Sequence, residues 1–199
     1  MWIENVPCDL IARIAGIHRS SVFEICDKLR SLGGLDLYLN KFDRIGGNNA
    51  IVEIDESKFG RRKYNRGHRV EGVWVVGAVE RINKRIVLRH VEKRDSLTLT
   101  TFCKKYIKKE TTIYSDCWKG YSNLSKEFFK HQTVNHSKHF VNRQTNTHTN
   151  TIEGNWSGIK RTIPIRSRTW KLIDIYLLRF MLKRNEGSNS LEVLLKLFY

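Results

Sequence analysis

Four residues in this sequence are placed for chemistry: Asp55, Asp116, Glu153 and Lys160. Asp55 closes the apolar run IVEID and Asp116 closes TTIYSD, so each stands at the end of a predicted strand. If those strands are neighbours, the two carboxylates converge, and without a counter-charge they repel and raise one another's pKa. A divalent cation removes that conflict, and oxygen-only ligands suit Mg2+ or Mn2+. Glu153 lies in TNTIEGNWSGIKRTI. At about 100° per residue, Ile152, Trp156, Ile159 and Ile163 of this helical stretch form one apolar stripe. Asn150, Glu153, Ser157 and Lys160 form the polar face beside it. A helix that lays this stripe on a sheet aims Glu153 at the two aspartates. Lys160 then follows two turns later, roughly 10 Å along, as a cation for a phosphate. Two ions about 4 Å apart, held by three carboxylates, activate an attacking oxygen and stabilise a leaving oxygen in phosphodiester cleavage. Taken singly, a strand-end Asp is usually a turn residue, and a Glu and Lys seven apart are usually a solvated face. Their order along the chain gives them joint weight.

Glu53 and Glu56 flank Asp55. Alternation is expected to turn both to the opposite face of the strand, so neither is counted as a ligand. The cations that follow, Lys58, Arg61, Arg62, Lys63, Arg66 and Arg69, are expected in a loop joining the first two strands, with the backbone of a nucleic acid as their partner. Arg161 extends the basic character of the Lys160 helix. Tyr64, Trp118 and Tyr121 are candidates for base stacking, with core packing the more ordinary role.

The elements that must position these residues are readable. The first strand, IVEID, is followed by VWVVGAV (73–79), apolar throughout and so buried on both faces, and by RIVLRHV (85–91). SLTLTTFCKKYIKK reads as a helix and TTIYSD (111–116) as a fourth strand. Residues 130–150 read as a polar loop with one short strand near Val134. WKLIDIYLLRFMLKRN (170–185) reads as an amphipathic helix. The pattern is an α/β domain with a mixed sheet, whose functional residues gather where strands end. Ahead of it, CDLIARIAGIHRSSVFEICDKLRSL reads as two short helices. Ala12, Gly16 and Val22 carry helix-turn-helix spacing, and Ser20 or Ser21 caps the second helix. A packing hairpin without DNA contact is an equal reading of that segment.

The charge is +16, from 36 Lys and Arg against 20 Asp and Glu, which points to a polyanionic partner. Residues 1–50 hold six basic and six acidic residues, so the whole excess lies in 51–199. The four cysteines, Cys8, Cys26, Cys103 and Cys117, form no C-x-x-C pair, and reduced, mostly buried thiols are expected. His131, His136 and His139 have no cysteine partner at zinc-finger spacing. No run of 18 apolar residues suggests a membrane span, and the start lacks the layout of a signal peptide.

The segments VEIDESKFGRRKYNRG, VWVVGAVER, IYSDCWKGY, VNHSKHFVN and HTNTIEGNWSGIKR, in this order, resemble the catalytic domain of Merlin-type DDE transposases and their bacterial insertion-sequence relatives. The likeness runs from about residue 46 to about 185. It implies an RNase-H-like fold: an α/β mixed sheet flanked by helices, preceded here by a small helix-turn-helix-like segment. It implies a catalytic triad of Asp55, Asp116 and Glu153 holding two Mg2+ or Mn2+ ions, with Asn150 as the fallback for the third position and Lys160 as the trailing lysine. It sets His136 near the active site, on DNA or behind the ligands. The implied partners are the DNA of the element ends and of the target, with a homodimer or higher assembly at synapsis and no membrane. The implied location is the nucleus of a eukaryotic host or the cytoplasm and nucleoid of a bacterium. The expected divisions are 1–45 (helical segment and linker), 46–185 (catalytic domain) and 186–199 (helical tail). Many relatives carry a zinc-ribbon-like segment before the hairpin. Its absence here leaves a truncated copy, a fragmentary gene model or a lineage reliant on the hairpin. With the resemblance, three activities are expected: metal-dependent DNA cleavage and strand transfer, DNA binding without catalysis by a decayed or co-opted copy, or nuclease action on RNA–DNA hybrids.

Overall fold

The computed structural model describes residues 2–4, 6–60, 72–135 and 147–197. Its centre is a five-stranded sheet in the order β3-β2-β1-β4-β5. The strands are β1 (Ile51–Phe59), β2 (Val73–Glu80), β3 (Ile86–Val91), β4 (Thr112–Asp116) and β5 (Lys130–Val134). β1, β2 and β3 pair antiparallel, while β4 runs parallel to β1 and β5 parallel to β4. This is the mixed sheet expected of an RNase-H-like domain, with helices packed against it.

The β1–β4 pairing decides the site. Ile51 lies opposite Thr112, Val52 opposite Ile113 and Glu53 opposite Tyr114. Two residues further along each strand stand Asp55 and Asp116. Residues two apart on a strand share a face, so both aspartates fall on the face that carries Glu53 and Tyr114. The stacking of the Arg81 guanidinium on Tyr114, 4.6 Å from the ring centroid, together with its ion pair to Glu53, marks that shared face.

Helix α6 (Asn150–Thr162) lies on this face, against β1 and β2. Ile152, Trp156, Ile159 and Ile163 are buried, as their spacing predicts. Gly77, paired with Asp55 across β1–β2, gives the Trp156 ring its room: a Cβ there would come within 2.7 Å of it. Helix α7 (Ile173–Glu186) packs on β3 beside α6. Its Asn185 bonds both the N–H and the C=O of Ile86 at 2.8 Å, closing part of the edge that β3 exposes. Helix α4 (Ser96–Tyr106) packs against the 3-10 turn at Lys119–Tyr121, and a short helix α5 (Leu124–Glu127) leads into β5.

Ahead of the sheet come α1 (Cys8–Ala15), α2 (Arg19–Ser31) and α3 (Gly34–Asn40), and α8 (Ser190–Leu195) follows α7. Gly16 ends α1 in the left-handed conformation (φ 65°), and Ile11, Ala12 and Val22 make the small core of the hairpin. The expected serine cap is corrected. His18 caps α2, its Nδ1 accepting from the Ser20 N–H at 3.3 Å. The four cysteines are unbridged, but only Cys103 is fully buried and Cys117 is exposed.

Candidate active site

Asp55 is corrected from strand end to strand interior: β1 continues to Phe59 because Glu56–Phe59 keep pairing with β2, and Asp55 faces α6 from its middle. Its Oδ2 accepts from the indole Nε1 of Trp156 at 2.9 Å. Burial raises its pKa from 3.8 to about 7. The Trp156 hydrogen bond opposes that rise, while the charges of Glu56 and Asp116 add to it. Asp116 closes β4, and its Oδ1 accepts from the backbone N–H of Trp118 at 2.9 Å. The structure therefore brings the first two predicted acids together.

Glu56 is the third carboxylate of the neighbourhood, and sequence reasoning sets it aside. It does face away from Asp55, as alternation requires. Even so, burial and the Asp116 charge raise its pKa, against hydrogen bonds from Tyr121 and Arg94. Tyr121 Oη donates to Glu56 Oε2, and Arg94 Nη1 lies 3.3 Å from Oε1. Arg94 stacks between Trp74 and Trp118, 4.5 and 4.1 Å from their ring centroids. Tyr121 is buried, while Trp118 remains partly exposed.

Glu53 corrects the expected facing. Two residues from Asp55, it shares that face and is fully buried. Oε1 pairs with Arg81 Nε at 2.6 Å, and Oε2 accepts the backbone N–H groups of Thr151 and Ile152 at 2.8 and 3.0 Å. An anion at the first turn satisfies orphan donors and complements the helix dipole. Glu53 therefore fixes where α6 begins. His148, whose carbonyl accepts from Arg81 Nη2 at 2.8 Å, has its Nδ1 3.7 Å from Glu53. Sequence pattern holds the needed signal, because counting parity from Asp55 puts Glu53 under the helix.

Glu153 stands in the first turn of α6 and is exposed, with its Oε1 accepting from Thr149 Oγ1 at 2.9 Å. Asn150, the first residue of α6, is exposed as well. Among the described residues, no three His, Cys, Asp or Glu side chains are grouped to hold a metal ion. The structure thus joins Asp55 to Asp116 without bringing Glu153 into one cluster with them. The donor chemistry at Asp55 and Asp116 still fits a hard divalent cation: the ligands are oxygens, and the half-buried Asp55 carboxylate, its pKa raised first by desolvation and then by the charges of Glu56 and Asp116, is the kind of group such a charge stabilises.

Lys160 lies on the sheet side of α6, while Glu153, expected on the same face, is exposed. Its Nζ donates to Ser57 Oγ at 2.6 Å and sits 5.3 Å from the Phe59 ring centroid. Burial and the nearby Arg168 lower its pKa, and Asp55 opposes this. Arg161, the next residue, is exposed on another flank. Lys58 is corrected from loop to strand: it belongs to β1, opposite Trp74, with its ammonium 5.6 Å from that ring centroid. Arg61, Arg62, Lys63, Tyr64, Arg66, Arg69 and His136 lie outside the described residues.

The sequence matches the ISXO2-like transposase domain over residues 44–166, more than half of the chain, and the protein belongs to that family. The match spans Asp55, Asp116, Glu153 and Lys160. No curated protein matches the sequence. Among solved structures, the chain is similar to the catalytic core of HTLV-2 integrase in complex with magnesium, at 13% identity and a TM-score of 0.44, covering 71% of this chain and 88% of that one. It is similar to the catalytic core of BIV integrase, at 14% identity and a TM-score of 0.46, over 73% and 93% of the two chains. A simian T-cell lymphotropic virus intasome in complex with a PP2A regulatory subunit gives 15% identity and a TM-score of 0.41, over 77% and 49%. These overlaps are too loose to assign any residue a role.

Proposed function

We propose that this protein is a DDE transposase that cleaves DNA at the ends of a mobile element and joins them to a target. The observation that carries the reading is the approach of Asp55, in the middle of β1, to Asp116, at the end of the adjacent parallel strand β4, within a transposase domain. In this reading Asp55, Asp116 and Glu153 hold two Mg2+ or Mn2+ ions, with Glu153 turning from its Thr149 contact. Bound there, divalent ions supply Lewis acidity at the scissile phosphate and activate the attacking oxygen. Trp156 holds one Asp55 oxygen so that the other faces the substrate. Glu53 anchors the helix that carries Glu153, and Lys160 offers its charge to a phosphate beside the acids. Water attacks first, freeing a 3′-hydroxyl, which then attacks target DNA.

We assign the chain, on the resemblance of its motifs, to Merlin-type transposases and their bacterial insertion-sequence relatives. Its partners are element-end and target DNA, in a homodimer or larger assembly at synapsis. It works where the host keeps its DNA: the nucleus of a eukaryote or the nucleoid of a bacterium.

One observation favours a second reading, a DNA-binding protein without catalysis. Glu153 is exposed and bonded to Thr149 rather than gathered with the aspartates. A nicking assay on duplex DNA carrying the flanking inverted repeats, with and without Mg2+, separates the two. Metal-dependent nicks that vanish in Asp55→Asn support the transposase. Tight binding with no nick under any metal supports the second reading. Preferential cleavage of an RNA–DNA hybrid would point instead to a hybrid-directed nuclease.

A further inference from the structure

A cavity of about 590 Å³ opens between α6, α7 and the N-terminal residues. It is separate from the acid site. Lys160 reaches Ser57 beside Asp55, whereas Arg161, turned about 100° around the helix, lines the cavity. Ile3 and Phe180 give it an apolar floor. Gly158 bares the backbone of α6 to it, and nothing lies within 4 Å of where its Cβ would be.

The charged lining has one sign. Arg161 comes from α6 and Arg179, Lys183 and Arg184 from α7, with no acid lining the cavity among the described residues. Lys183 is ion-paired with Glu4, which is not among the lining residues. Arg179 is held between aromatic faces, 4.9 Å from the Tyr176 centroid and 5.6 Å from that of Trp2. A cavity within the usual ~300–1,000 Å³ range of ligand sites, with an excess of guanidinium groups, suits an anion with fork geometry.

We propose that this cavity is a second nucleic-acid contact, which takes phosphodiester groups of bound DNA through Arg161, Lys183 and Arg184. The proposal rests on the DNA-directed reading above. The cations grip the backbone without reading sequence. Gly158 lets the strand approach α6 closely. Helix α6 thereby touches DNA on two flanks: Lys160 on the acid side and Arg161 on the other.

The test is fluorescence anisotropy of the full chain with a random-sequence duplex across a salt series. Arg161→Ala, Lys183→Ala and Arg184→Ala, combined, should make the plot of log affinity against log salt shallower by about 0.9 for each phosphate no longer neutralised. A control triple of the same charge change, Lys109→Ala, Lys126→Ala and Lys130→Ala, should change the slope by less than this amount. Gly158→Leu keeps every cation, favours the helix and fills the cavity; it should weaken binding several-fold. It decides alone if the triple variant does not fold. Equal slope changes from the two triples, or full binding by Gly158→Leu, overturn the proposal. So does a cavity that binds polyglutamate through these cations while duplex binding ignores them. A wild type that binds no DNA overturns this inference and the transposase reading together. A wild type that binds and nicks DNA, with the cavity variants indifferent, overturns this inference alone.

Discussion

The indole N–H of Trp156 donates to Oδ2 of Asp55 at 2.9 Å, so the helix bearing Glu153 and the strand bearing Asp55 are tied at the carboxylate itself. A hydrogen bond to the ionised form favours ionisation, and here it works against burial. Trp156→Phe keeps most of the packing and removes the donor. The pKa of Asp55 should then rise beyond about 7, and the acid limb of the nicking pH profile should move to higher pH by roughly half a unit to one unit. An unmoved profile would mean that Asp55 is not the group being titrated.

Glu53 should matter more for stability than any other acid of the sheet. Glu53→Ala leaves Arg81 and the N–H groups of Thr151 and Ile152 without their anion, a loss of about 3–5 kcal/mol by the usual scale for breaking a buried pair. Glu53→Gln retains an acceptor for the helix and should lose about half of that. Urea unfolding monitored by tryptophan fluorescence measures both.

Asp55→Asn, Asp116→Asn and Glu153→Gln should each reduce Mg2+-dependent nicking by at least ~10²-fold, with duplex affinity within about twofold of wild type. Mg2+ should raise the melting temperature of the wild type and not that of Asp55→Asn. Retained nicking in Glu153→Gln would remove the third ligand from the scheme and leave the aspartates.

Lys160→Met should cut nicking by ~10²-fold if its charge acts at the scissile phosphate, while Lys160→Arg should recover part of it. Single-turnover rates at saturating enzyme distinguish this from weakened binding.

The pH dependence of stability has a definite sign. Folding raises the pKa of Asp55 from 3.8 to about 7, so the folded state holds that proton more tightly. The stability this gives is fully present below about pH 4 and is lost as pH rises through 7. Measured without metal, Asp55→Asn should match the wild type near pH 4 and exceed it above pH 7, with Mg2+ closing the gap. A wild type that stays level with the variant across this range would contradict the desolvation of Asp55.

The strands are legible because β-branched runs are rare outside them, and α6 because Ile152, Trp156, Ile159 and Ile163 recur at helical spacing. Asp116 ends β4 as read, whereas β1 runs on past Asp55 to Phe59, so the two aspartates approach through the parallel register of β1 and β4 and not through two strand ends. Glu53 departs from its expected face because two residues from Asp55 is the same side of a pleated strand. Lys58 departs from the expected loop because the alternation of Ser57 and Phe59 carries β1 further than the charge suggests. Trp156 reads correctly as apolar packing but not as a donor, because periodicity says where a ring lies and nothing of its N–H. The Arg94 stack with Trp74 and Trp118 joins residues from separate elements, and no local pattern announces such a meeting.

The parallel pairing of β1 with β4 joins segments with β2, β3 and α4 between them, and α6 comes later still. A ribosome must therefore translate almost the whole domain before the acids and their lysine can assemble. On the transposase reading, a nascent chain or an early-terminated copy that lacks α6 would lack Glu153 and Lys160 and should leave the encoding genome uncut.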